Sequence, residues 1–288
     1  MVFSFGGLDL GGVELGRALA AATAISFSGA PLGVFLVLRR LSLSGDVYTH
    51  TLFPGVAIAF LIAGESVSAM IIGGLISGLL VAYLSGLVAR ITVLKEDASL
   101  AAFYMLSLAI GMVLLAGNDH AEELLHVLFG DVFSIDHTSL LVIAALSSAT
   151  LFTLALVWRA LVMESYDRVF FASVGGGGAA THMVFITLVI LNLIIGATAL
   201  GTIMAIGLMT IPGASARFWS RNLGVMVVVA ITIALSASLA GLICAAYTGL
   251  PPGPTIILFA GAGYVASIIF GRFGGLISRY GKRPHLEA

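Results

Sequence analysis

The chain has 288 residues and a formal net charge of −1; 60% of its residues are apolar and only 9% are charged. In a soluble domain about a quarter of the residues are charged. The small charged fraction and the mean hydropathy of +1.14 therefore indicate a polytopic membrane protein. The absence of basic arms and nucleic-acid motifs argues against a nucleic-acid partner. The single cysteine, Cys244, excludes a disulfide framework or a thiolate metal cluster built from one chain.

The first apolar segment is interpreted as a membrane span and not as a cleavable signal. The residues before it, MVFSFGGLDLGGVELG, carry Asp9 and Glu14 and lack a basic cluster. A helix needs about 20 apolar residues to cross a bilayer. Such windows predict an all-α bundle of eight or nine spans, at residues 18–38, 47–64, 67–89, 98–117, 138–158, 181–199, 200–216, 223–247 and 254–271.

The number of spans depends on residues 181–216, where only a short stretch is available for two crossings. The rival interpretation is one long span followed by a re-entrant segment. With nine crossings and an outer N-terminus, twelve of the thirteen Lys and Arg residues lie on the cytoplasmic side, and Arg17 is the exception. We therefore expect one multi-pass domain over 1–288 in the cell (inner or plasma) membrane, with residues 1–16 outside the cell and 272–288 as a cytoplasmic tail.

The second span begins with the sequence GDVYTHTLFPG, residues 45–55. Asp46 and His50 are spaced i, i+4, which places both side chains on one face of a helix. A carboxylate and an imidazole are two ligands of a divalent-metal site. Counted from Arg40, the pair lies about 10 Å inside the cytoplasmic edge. Ionisable groups within a span are functional by default, although a helix-locking Asp–His hydrogen bond is the alternative.

Pro54 follows this pair and has no N–H to return to the carbonyl of His50. We expect that carbonyl to be freed and to require water, a neighbouring helix or a passing ion as its partner.

The loop over residues 118–137 contains acidic residues and histidines but no Lys or Arg. It would attract cations to the outer face of the protein. The candidate metal-entry residues are His120, Glu122, Glu123 and His126. The alternative is that the loop is acidic only because positive charge is kept on the cytoplasmic side.

The run Gly175 to Gly178 is interpreted as a flexible hinge, because no GxxxxGK[ST] phosphate loop occurs in the chain. We predict no catalytic residues. If transport is active, ATP is handled by another chain.

The stretch APLGVFLVLRRLSLSGDVYTHTLFPGVAIAF resembles the start of the permease subunits of zinc/manganese ABC importers, with their D-x-x-x-H pair and Pro-Gly turn. Three further stretches agree with the family in order and spacing. LKEDASLAAFYMLSLAIGMVLL resembles its fourth span, LLHVLFGDVFSI its LFGD segment, and GTIMAIGLMTIPGASARFW with GLPPGPTIIL its Ile-Pro-Ala-x-x-Ala-Arg and Pro-x-Gly-Pro motifs. The resemblance runs from about Pro31 to Phe270.

The resemblance implies a homodimeric or pseudo-dimeric permease with a cytoplasmic ATPase pair and an extracytoplasmic metal-binding protein as partners. It implies that Asp46 and His50 coordinate the transported Zn²⁺ or Mn²⁺, and that no cofactor is permanently bound. The ATPase-coupling loop is matched by SYDRVFFASVG, through Tyr166, Asp167, Ala172 and Gly175.

Three other functions compete with this one. A proton-coupled secondary carrier usually has carboxylates in several spans. An intramembrane metalloprotease would carry HExxH, which is absent. A siderophore or vitamin importer of similar architecture would have no need of an Asp–His pair in its path.

Overall fold

The computed structural model describes residues 4–5, 8–9, 12–64, 66–94, 96–115, 135–173 and 175–280. Two short strands, β1 (Ser4–Phe5) and β2 (Leu8–Asp9), pair antiparallel before the first helix. The other regular elements of these described residues are helices. The helices are α1 (Gly12–Leu38), α2 (Ser42–Thr51), α3 (Phe53–Ala63), α4 (Val67–Ile91), α5 (Glu96–Leu115), α6 (His137–Tyr166), α7 (Arg168–Ser173), α8 (Gly178–Leu200), α9 (Thr202–Ala216), α10 (Leu223–Thr248), α11 (Pro252–Phe270) and α12 (Leu276–Tyr280).

Eight helical segments of the described chain are long and apolar enough to cross a membrane. One of them combines α2 and α3, which are interrupted only at Leu52. The all-α membrane bundle predicted from composition is confirmed. The segment predicted at 200–216 is the 15-residue helix α9, which is shorter than a full span.

The two ends of α9 lie at opposite ends of the bundle. Near its start, Gly253 of α11 lies beside the carbonyl oxygen of Leu200. Beyond its last residue, the indole Nε1 of Trp219 donates to Ser267 Oγ near the end of α11, at 2.9 Å. A re-entrant segment would return to the end that it left. The chain therefore passes from one end of α11 to the other along α9.

Helix α9 packs on α1 with their backbones in direct contact. A Cβ atom added to Gly213 would lie 2.6 Å from the carbonyl carbon of Gly33, and one added to Gly33 would overlap the carbonyl of Met209. Small residues allow such close approach, which in a membrane provides dispersion contacts between helices. This contact places α9 in the interior, where Met209 and Pro212 are buried.

Helices α1, α8 and α9 form the centre of the bundle. The most enclosed of the large side chains, Phe35 and Leu32 of α1 and Phe185 and Leu193 of α8, have no exposed surface. The surrounding helices expose many large apolar side chains outward, including Ile76 of α4. An exposed apolar exterior is what a lipid environment requires, since lipid tails are as apolar as these side chains.

Candidate functional site

Asp46 and His50 both lie on α2, one turn apart, as their spacing predicts. Asp46 is exposed and His50 is partly buried. The buried side of α2 includes Gly45, which lies against Met209 and Leu36. With α2 beginning at Ser42, the two residues lie about 6 and 12 Å along the helix axis at 1.5 Å per residue.

The helix breaks at Leu52, two residues after His50 and two residues before Pro54. The Leu52 N–H is directed at the carbonyls of His50 and Thr49, the latter at 3.4 Å. Pro54 lies in the first turn of α3 and offers no N–H to the His50 carbonyl, and the Leu52 N–H of the same turn is directed at that carbonyl. The carbonyl that neighbouring helices do satisfy is that of Thr51.

Two serine hydroxyls donate to the Thr51 carbonyl at this break. Ser77 of α4 donates at 2.7 Å and Ser107 of α5 at 3.3 Å. In a membrane interior no bulk water is present to satisfy a backbone carbonyl, so side chains must do so. These bonds fix the break between α2 and α3, and through it the end of the helix that carries Asp46 and His50.

Tyr104 of α5 packs against the imidazole of His50, with ring centroids 5.4 Å apart and planes inclined by 45°. This contact restricts the orientation of the His50 ring. Sequence reasoning missed this contact, because Tyr104 lies 54 residues from His50 in another span.

No group of three or more His, Cys, Asp or Glu side chains converges anywhere among the residues that the structure describes. Asp46 and His50 thus offer one carboxylate and one imidazole. Zn²⁺ commonly takes four ligands and Mn²⁺ accepts carboxylate, carbonyl and water. The remaining ligands would be water, a backbone carbonyl or groups of another chain, and a site with so few protein ligands releases its ion readily.

The predicted metal-entry residues, His120, Glu122, Glu123 and His126, lie outside the described residues. The end of that loop is described. Asp136 caps the N-terminus of α6, accepting from the N–H groups of Ser139 at 2.9 Å and Thr138 at 3.3 Å. Hydrogen bonds from Ser139 and Thr138 lower the pKa of Asp136 from 3.8 to about 2. This carboxylate has a structural role in starting the helix.

The predicted coupling loop contains a short helix, α7. Asp167 precedes it and accepts a hydrogen bond from the N–H of Phe170 at 2.9 Å, which caps the helix. Ala172 lies within α7, and Gly175 follows it with a φ of 75°, a left-handed conformation that favours glycine. Tyr166 is 75% exposed at the end of α6. Exposed side chains on a short capped helix make a surface that another protein can contact.

Sequence reasoning missed a buried ion pair beside this loop. Arg39 Nη2 and Glu164 Oε2 are 2.9 Å apart, with side chains only 2% and 4% exposed. Arg39 also donates to Ser165 Oγ at 3.1 Å and lies over the ring of Phe185 at 4.6 Å. Glu164 lies beyond the predicted end of its span at residue 158, because α6 continues to Tyr166. Asp46 and His50 are therefore accompanied in the bundle by a second pair of ionisable residues.

The chain is similar to several transport proteins over nearly its whole length. It is 28% identical to the manganese transport system membrane protein MntC of Halalkalibacterium halodurans, covering 93% of this chain and 92% of that one. It is 27% identical to the zinc transport system membrane protein TroC of Treponema pallidum, covering 89% and 88%.

Among solved structures, the chain superposes on PsaBC from Streptococcus pneumoniae in complex with Fab, with a TM-score of 0.81 and 25% identity over 93% of this chain and 94% of that one. The family described as the ABC 3 transport family matches residues 14–271. A match over most of the chain, together with this shared architecture, shows that the protein is a multi-pass membrane permease belonging to the ABC 3 transport family.

Proposed function

We propose that this chain is the permease of an ATP-driven importer for a divalent transition metal, Zn²⁺ or Mn²⁺, and that Asp46 and His50 bind the ion on its way to the cytoplasm. The observation that carries the proposal is the Asp–His pair itself. Its two side chains lie one turn apart on a helix that ends at a break within a predicted span. Family membership adds independent support, because it assigns the chain to transport and not to enzymatic catalysis.

The chemistry of the pair supports a transient site. An imidazole nitrogen and a carboxylate oxygen both suit Zn²⁺ and Mn²⁺, and with equal geometry Zn²⁺ binds the more tightly. The relatives' names include both manganese and zinc transport systems, so the choice of metal is left open. A binding protein outside the cell would supply high affinity, and the permease site needs to be weak enough to release the ion.

The partners are an extracytoplasmic metal-binding protein, a cytoplasmic ATPase and a second copy of the chain. In support, no phosphate loop occurs in the sequence. The exposed surface around α7, including Tyr166, supplies the place where the ATPase docks. Replacing Asp167 by Ala removes the cap of α7 and should reduce the metal transported per ATP hydrolysed.

The ion pair between Arg39 and Glu164 argues against a secondary carrier. Glu164 is held by Arg39 at 2.9 Å, so a proton would have to displace a buried guanidinium to use it. Among the described residues, Glu14 and Asp97 stand at the first position of their spans, so Asp46 is the one carboxylate inside a span that is not held in an ion pair. A proton relay needs carboxylates in several spans.

The test is uptake of radioactive zinc and manganese into cells that express the chain with its ATPase and binding protein. Asp46→Ala and His50→Ala should abolish uptake while leaving the amount of protein in the membrane unchanged. Glu14→Ala is the control, because Glu14 is an exposed carboxylate at the start of α1 and not part of α2. Normal uptake in both α2 variants would make the pair structural. Absence of uptake of either metal by the wild type would refute the proposed cargo.

A further inference from the structure

A cleft of about 590 Å³ opens at the end of the bundle where α1, α9 and α11 end and α10 begins. Two arginines, Arg217 and Arg221, line it together with the aromatic rings of Phe218, Tyr264 and Phe273. The volume is in the range of sites that hold small organic ligands, which is about 300–1,000 Å³. Asp46 and His50 are not among the residues that line it.

Both guanidinium groups are exposed at the cleft. Within the described part of the chain, no carboxylate forms an ion pair with Arg217 or Arg221. Arg221 lies 5.4 Å from the centroid of the Phe273 ring, which orients it along the wall. Two positive groups four residues apart with no internal counter-charge form a site that favours an anion.

The position of the cleft identifies which anion can reach it. Trp219 and Tyr264 lie at this end of the bundle, with the Trp219 indole bonded to Ser267. Aromatic residues with one polar group are typical of the headgroup region of a membrane. The same end carries Arg39, Arg217 and Arg221, and the concentration of basic residues marks it as cytoplasmic. The cytoplasmic leaflet is the one rich in anionic lipids.

The geometry points to a binding site for the phosphodiester of an anionic phospholipid in the cytoplasmic leaflet. Arg217 and Arg221 contact the phosphate oxygens, since a guanidinium matches phosphate geometry with two parallel N–H donors. The apolar walls, including Val37, Leu38 and Met226, contact the glycerol and the first acyl carbons. A zwitterionic headgroup would bring a cation close to both arginines, so an anionic headgroup is preferred.

A cytoplasmic protein partner is the competing occupant. The predicted ATPase-docking helix α7 packs on α6 and α8, and neither of these helices lines the cleft. The cleft is instead formed by α1, α9, α10, α11 and the turn around Phe273. Its apolar walls suit acyl carbons, and it lies at the end of the bundle that the basic residues mark as cytoplasmic.

The test is native mass spectrometry of the full chain in detergent, titrated with phosphatidylglycerol, phosphatidylcholine or inorganic phosphate. Wild type should bind phosphatidylglycerol in preference to the other two. The double variant Arg217→Gln/Arg221→Gln should bind it about 30-fold more weakly, since each basic residue at an anionic surface contributes a factor of about five. Arg159→Gln is the matched control, because Arg159 is exposed on α6 and does not line the cleft.

The double variant Arg217→Lys/Arg221→Lys keeps the positive charge and removes the paired N–H donors, so it should bind phosphatidylglycerol with intermediate affinity. It therefore distinguishes a loss of binding from misfolding. Equal binding of phosphatidylglycerol to wild type and to the Gln double variant would overturn the inference. Equal binding of phosphatidylcholine, or full competition by inorganic phosphate, would also overturn it. So would a Gln double variant that keeps its lipid affinity but loses the co-expressed ATPase during purification, because the cleft would then belong to that partner.

Discussion

The buried pair of Arg39 and Glu164 gives the sharpest prediction about stability. The pair joins the end of α1 to the last turn of α6, and its two side chains are almost completely enclosed. Glu164→Ala removes the counter-charge and leaves the guanidinium in the bundle. The contacts that it keeps include those with Ser165 Oγ, the Leu161 carbonyl at a long 3.4 Å, and the Phe185 ring.

The expected cost is about 3–5 kcal/mol, which is typical for removing one partner of a buried ion pair. It exceeds the value of an exposed pair, about 0–1 kcal/mol, because the charge that remains is not solvated. Replacing both residues with apolar ones of similar volume removes this penalty. Arg39→Met/Glu164→Leu should therefore be close to wild type in stability, and the double-mutant cycle should show a coupling energy well above that of independent sites.

The assay is denaturant-induced unfolding in detergent followed by tryptophan fluorescence. The chain has two tryptophans. Trp158 lies near the pair, edge-on to Phe35 at 5.3 Å between ring centroids, so its emission reports on this region. Arg159→Ala, an exposed arginine on the same helix, provides the control. A loss of less than about 1 kcal/mol in Glu164→Ala, or a double variant less stable than Glu164→Ala, would refute the reasoning.

Three other features of the structure give measurable predictions. Ser77→Ala/Ser107→Ala leaves the Thr51 carbonyl without its two hydroxyl donors and should cost about 1–3 kcal/mol in unfolding free energy; an unchanged unfolding midpoint would mean that the break does not need them. Gly213→Ala places a Cβ 2.6 Å from the backbone of α1 and should lower the free energy of unfolding by about 1–3 kcal/mol, because it forces α1 and α9 apart. Gly261→Ala is the control in the same assay, because a Cβ at that position meets open space. The pKa of Asp136 is lowered to about 2, so its contribution to the free energy of unfolding is present above its ordinary pKa of 3.8 and is lost as the pH falls from there towards 2. The stabilities of wild type and Asp136→Ala should therefore converge over that interval. A constant difference down to about pH 2 would contradict this.

Local sequence signals predicted most of the architecture. Apolar windows located the spans because a bilayer imposes a minimum length of apolar helix on each crossing. The i, i+4 spacing predicted that Asp46 and His50 share a helix, since that relation depends only on helical geometry, and both lie on α2. The predicted loop around Tyr166 to Gly175 contains α7, and the positive φ of Gly175 explains why glycine stands there.

The predictions that missed involved groups distant in sequence. Sequence reasoning considered only the His50 carbonyl beside Pro54 and overlooked the Thr51 carbonyl, which two other helices satisfy. Its donors come from positions 26 and 56 residues away. The fifth span was predicted to end at residue 158, so Glu164 was not considered as part of it. Hydropathy falls near the membrane edge, whereas the helix continues to Tyr166.

The sequence by itself thus determined that this is a membrane protein, where its helices lie and that Asp46 and His50 share one helix within a span, because hydropathy and helical spacing are properties of contiguous residues. Only the tertiary structure decided that Arg39 meets Glu164 across 125 residues, that Tyr104 packs on His50, and that several separate segments form the arginine-lined cleft. These contacts depend on how the helices pack, and close packing is set by the shapes of surfaces that no single segment contains.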